Sequence, residues 1–223
     1  MSGFFSSAVP GKWSRAAFHE WAHQHAVEQG KLVELIEGKI CPLPDSAQSI
    51  GQIQLLQGQI QAHLNSVEAD RFEVRSRYPI PIDDCCELKP AITVSELTTH
   101  RNITHRDTTH PSSAIPRWVI DITDEDLHDQ HLDRRQYFSR IGIPDYWCMD
   151  LAQVELRTYQ NPTQSTYTTC TLLHIGECAS PQSLPRVTIQ VQEPTPLHFL
   201  TRTTNNRTQA YTTANLPLQV WRS

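Results

Sequence analysis

The sequence predicts an α/β domain, a mixed β-sheet flanked by helices. Three observations carry this. Residues 31–41 (KLVELIEGKIC) read as two strands around a tight turn at Glu37-Gly38. Residues 46–67 carry one apolar stripe at helical spacing. Beyond residue 116, short apolar runs alternate with turn residues and enclose one further helix. With 38% hydrophobic and 19% charged residues over 223 positions, the chain has the composition of a globular domain. A core of that size needs no disulfide or metal to hold it.

Taken in order, residues 1–12 are loose and Ser14 caps a helix running to about Gln24, with Ala17, Phe18, Trp21 and Ala22 as its apolar face. In the long helix, Ile50, Ile53, Leu56, Ile60 and Leu64 form the buried stripe, and the glutamines between them face solvent. Residues 71–82 alternate as a strand whose end Pro79 and Pro81 push toward an edge. A short strand follows at 91–94, then a Thr- and His-rich loop over 97–116. Residues 117–123 (RWVIDIT) suit a buried strand. A helix over 130–141 ends at Gly142. Strands at 146–150, 154–159 and 166–173 form a meander, and a last strand lies near 187–191. The organisation expected is an N-terminal helical segment (1–30), the main domain (31–192) and a Thr/Asn-rich tail (193–223).

Composition narrows the function. The net charge is −5, with 24 acids against 19 bases, the opposite of a dedicated nucleic-acid binder. No apolar run nears the ~20 residues of a membrane span. The opening MSGFFSSAVPGK lacks a basic start and an apolar core, so no secretory leader is expected. Six cysteines (41, 85, 86, 148, 170 and 178) have no CxxC spacing and read as reduced thiols, including the adjacent Cys85-Cys86 pair. A cytoplasmic setting is the expectation. No phosphate-binding glycine loop and no GxSxG elbow occurs.

Two histidine patterns stand out. His19-Glu20-Trp21-Ala22-His23 is a literal HExxH, which on a helix places two zinc ligands and a general base together. It precedes every strand that could wall a cleft, and no third ligand is identifiable, so solvent-facing histidines are the plainer reading. His100, His105 and His110 recur every five residues, a period that shares no face in helix or strand. They read as loop histidines.

Between Leu32 and Val191 the features follow a definite order: VELIEGKI at 33–40, KPAITV at 89–94, VIDIT at 119–123, IGIPDYWCMD at 141–150, then Tyr159 and Tyr167. On these residues the chain resembles the Uma-type restriction endonucleases of the PD-(D/E)xK nuclease superfamily. The most specific stretch runs from Gly142 to Asp150, and VELIEGKI is second. The resemblance implies a restriction-endonuclease-like mixed sheet, DNA as substrate, and Mg²⁺ or Mn²⁺ held by converging carboxylates. Such a cation stabilises phosphodiester charge and acidifies an attacking water.

Carried over by position, the implied site is incomplete. Glu34 matches the family's first glutamate, and Asp121 stands for its strand glutamate. Ala91 replaces a metal-binding aspartate after Pro90, Arg134 replaces the lysine, and Gln130 an aspartate. The histidine at the start of the long helix is missing, with Gln48, Ser49 and Ile50 there instead. Glu34 and Asp121 are thus the implied metal ligands, and Arg134, always protonated, a phosphate contact or an internal ion-pair partner. Glu87, Glu96, Asp124 and Glu125 are candidates to replace the lost ligand. The resemblance therefore implies an impaired endonuclease. A non-catalytic interaction domain on the same scaffold is the first alternative, and an HExxH zinc hydrolase the second. Self-association is open.

Overall fold

A computed structural model describes residues 11–29, 32–43, 46–67, 71–97, 115–123 and 134–193. The expectations for the extreme N-terminus, the loop histidines, Gln130, Asp124, Glu125 and the tail beyond 193 lie outside these residues.

Helix α1 (Arg15–Gln29) is followed by hairpin β1 (Val33–Ile36) and β2 (Lys39–Pro42), then by α2 (Ala47–Val67). Strands β3 (Phe72–Ser76), β4 (Ile80–Asp83), β5 (Cys86–Leu88), β6 (Ile92–Glu96) and β7 (Trp118–Thr123) precede α3 (Arg134–Arg140). Strands β8 (Asp145–Asp150), β9 (Glu155–Pro162) and β10 (Tyr167–Leu173) form the expected meander, and β11 (Cys178–Ala179) pairs with β12 (Ile189–Gln190).

Besides that two-stranded pair there are two main sheets, one of four strands ordered β2-β1-β5-β4 and one of six ordered β10-β9-β8-β7-β6-β3. In the larger sheet β7 and β8 run parallel, and every other pairing is antiparallel. Strand alternation then sorts side chains into layers. The outer face of the small sheet gives Val33 and Leu35 to Phe18 of α1. Its inner face gives Ile36, Ile80, Cys86 and Leu88 to a core shared with α3 and with Val119, Tyr146 and Tyr159 of the large sheet. The other face of the large sheet packs on α2 through Ile120, Trp147 and Leu156. The smaller sheet is thus held between α1 and the larger one, and α2 closes the far side.

Local chemistry explains the joints. At the β1–β2 turn Glu37 and Gly38 both have positive φ (50° and 80°), the type I′ geometry that favours glycine. The segment leading into α1 also packs against Gly38: an added Cβ would lie 2.4 Å from Lys12 Cβ. Ser14 caps α1, its Oγ accepting from Ala17 N at 3.2 Å. At α2, Ser46 and Ser49 cap reciprocally at 3.0 Å, which turns Ser49 onto the buried stripe. Ile50, expected in that stripe, is 44% exposed in consequence.

Residues 71–82 are not one strand. Arg77 has φ 52° and precedes Tyr78-Pro79, so the run breaks into β3 and β4, which belong to different sheets. The return crossing, Lys89-Pro90-Ala91, leads from β5 back to β6. That second crossing passes through the candidate site.

Candidate functional site

Three elements converge where the sheets face each other. Glu34 points inward from β1, Asp121 from β7, and Arg134 opens α3. The structure brings all three together. Arg134 Nη1 and Nη2 donate to Glu34 Oε1 and Oε2 at 3.3 and 3.0 Å, the two-pronged pairing a planar guanidinium allows. Its Nε lies 3.2 Å from Asp121 Oδ2 as an ion pair, without the alignment of a hydrogen bond. Side-chain exposure is 11% for Arg134, 5% for Glu34 and 12% for Asp121, so little water screens the charges.

Each carboxylate has further partners. Lys89 N donates to Glu34 Oε2 at 3.0 Å, and Ala91 N to Asp121 Oδ1 at 3.4 Å. Pro90 between them has no N–H, so both free amides of the crossing strand are satisfied by the two acids. Tyr146 Oη donates to Asp121 Oδ2 at 3.0 Å. Burial and the Asp121 charge hold the Tyr146 phenol far above its ordinary range, so it stays a donor. Burial alone would lower the Arg134 pKa, but Asp121 and Glu34 outweigh it and raise it further, so it stays charged. The nearby Cys148 thiol is pushed up to about 12, chiefly by burial and then by Asp121.

The other sequence candidates lie elsewhere. Glu87 is buried on the α1 side of the small sheet, where His19 Nε2 meets it at 2.7 Å. Lys89 lies there too, its Nζ 5.6 Å from the Phe18 ring centre. Burial lowers the Lys89 pKa, although Glu87 and Glu34 act against it. Glu96 pairs at the surface with Arg71 and Arg117. Of the HExxH residues, Glu20 and His23 are exposed and His19 is taken by Glu87. The helix packs on the outside of the small sheet, with Phe18 against Val33 and Leu35. Among the described residues no three His, Cys, Asp or Glu side chains converge as a metal group would require. Sequence reasoning missed Tyr146 and the two crossing amides. Tyr146 lay within the Gly142–Asp150 stretch, but nothing in the sequence aims its hydroxyl at Asp121.

The family model described as "Putative restriction endonuclease", Uma2, matches residues 15–192, and the chain belongs to that family. The match begins at the first residue of α1. The fold is similar to the crystal structure of a nuclease, itself described as putative and as belonging to DUF820, from Anabaena variabilis ATCC 29413. The TM-score is 0.53 and the identity 18%, covering 74% of this chain and 89% of that one. No curated protein matches the chain.

Proposed function

We propose that this chain is a catalytically silent member of its family, a nuclease-like scaffold in which Arg134 stands where the catalytic cation would. The observation that supports this most is the guanidinium itself, within 3.0–3.3 Å of both acids. A hard divalent ion needs several oxygens at about 2.0–2.6 Å with lone pairs to spare. Glu34 and Asp121 already accept from Arg134, Tyr146 and two backbone amides. Ala91, fully buried, offers no ligand. Mg²⁺ and Mn²⁺ do not fit this donor set.

The scaffold then serves binding rather than chemistry, and DNA is a poor partner for it. Arg75, Arg140 and Arg157 each pair with a carboxylate, and Arg71 and Arg117 share Glu96. Together with the net charge of −5 this leaves weak phosphate attraction. A plasmid-nicking assay with Mg²⁺ and Mn²⁺ tests the reading. The natural chain is expected to stay at background. Nicking that disappears in Asp121→Ala would establish a working nuclease with a reduced ligand set and end the proposal.

A further inference from the structure

One sequence motif plays no part in the Arg134 site. In His19-Glu20-Trp21-Ala22-His23 the two histidines stand at i and i+4 of α1, a 15-residue helix. Side chains at that spacing share one face, a single turn apart. The apolar side of the helix is formed by Phe18, with Trp21 and Ala22 packed beside it. His23 is exposed, and the His19 side chain is 53% exposed. Both rings are therefore open to solvent.

His19 is more than a surface ring. Its Nε2 lies 2.7 Å from Oε2 of Glu87, a β5 carboxylate whose side chain is only 5% exposed. A carboxylate can only accept, so Nε2 carries the ring hydrogen and donates it. The lone pair of the neutral ring then rests on Nδ1, not on the atom that Glu87 holds. A carboxylate behind one ring nitrogen, with the lone pair on the other, is the arrangement that orients histidine ligands in metalloproteins and raises their basicity.

We propose that Nδ1 of His19 and the imidazole of His23 bind a divalent transition ion of the nickel, copper and zinc group, with Glu87 as the outer carboxylate. Imidazole nitrogen suits these ions, whereas Mg²⁺ and Mn²⁺ favour oxygen. Two imidazoles completed by water form an open chelate, which calls for no third converging side chain. The ion ties α1 to β5 through His19 and Glu87, a structural role rather than a hydrolytic one. No residue of the Arg134 site takes part.

The test is calorimetric titration of the full chain with Ni²⁺, in a buffer that does not bind the ion. The natural chain is expected to take up an ion that His19→Gln and His23→Gln each remove. Ni²⁺ should also raise the melting temperature of the natural chain, because it binds the folded helix. His23 is exposed, so His23→Gln should melt like the natural chain without Ni²⁺ and gain nothing from it. Glu87→Gln keeps both rings but not the orienting charge, and should weaken binding about 10–100-fold. Uptake that is unchanged in His23→Gln, as it would be if other histidines of the chain held the ion, overturns the proposal. So does a natural chain that takes up no Ni²⁺.

Discussion

Arg134 holds one positive charge between two carboxylate side chains that are 5% and 12% exposed, so its loss leaves two buried anions with only neutral donors. Removing one partner of such a buried pairing costs about 3–5 kcal/mol. Arg134→Met, which keeps most of the volume, should lower the unfolding free energy by that amount, seen as a lower denaturation midpoint at unchanged slope. Arg134→Lys keeps the charge but not the fork, and should recover part of the loss. The thiols give a second check at this scale. Cys86 and Cys148 are pushed up to about 11 and about 12 by burial, whereas Cys170 and Cys178 are exposed. A disulfide reagent at about pH 8 should label Cys170 and Cys178 first and reach Cys86 and Cys148 only on unfolding. The resemblance to the family singled out Glu34, Asp121 and Arg134, which converge in the structure. Their saturation was not legible, because the amides of Lys89 and Ala91 and the Tyr146 hydroxyl arrive through tertiary packing that no local pattern encodes.

The elements themselves were mostly legible where periodicity was strong. The hairpin, α2, β7 and the β8–β10 meander follow the sequence pattern closely. β5 and β11, of three and two residues, are too short to show a period. The split of β3 from β4 escaped notice because alternation continues across Arg77, while the left-handed backbone there does not show in composition. Another joint hidden from sequence is Asp145, fully buried at the start of β8. It accepts from Gln160 Nε2, from the amides of Gln182 and Ser183, and from Ser183 Oγ, all at 2.7–2.9 Å. This carboxylate ties the 181–184 segment, with Leu184 in the core, to the large sheet. Asp145→Ala leaves these donors unpaired and should cost about 2–3 kcal/mol. Hydrogen exchange should rise first over residues 176–191. At the β1–β2 turn, Gly38→Ala combines a positive φ with a clash against Lys12, and should lower stability by more than about 1 kcal/mol.

For the whole molecule, two sheets face each other across a core that α3 enters from the side, and Glu34, Asp121 and Arg134 meet where the inner faces come together. In a metal nuclease that junction gathers negative charge and relies on a bound cation to balance it. In the proposed reading the chain supplies the cation itself, from Arg134 at the start of α3, and the contacts that tie β1, β7 and α3 together crowd out a metal. No helix among the described residues is long and apolar enough to cross a membrane. Titration of the full chain with Mn²⁺, followed by the ion's own magnetic resonance signal, tests this account most directly. The account predicts that the free-ion signal falls no faster with the natural chain than with Asp121→Ala. Stoichiometric uptake by the natural chain that is lost in both Asp121→Ala and Glu34→Gln would contradict it.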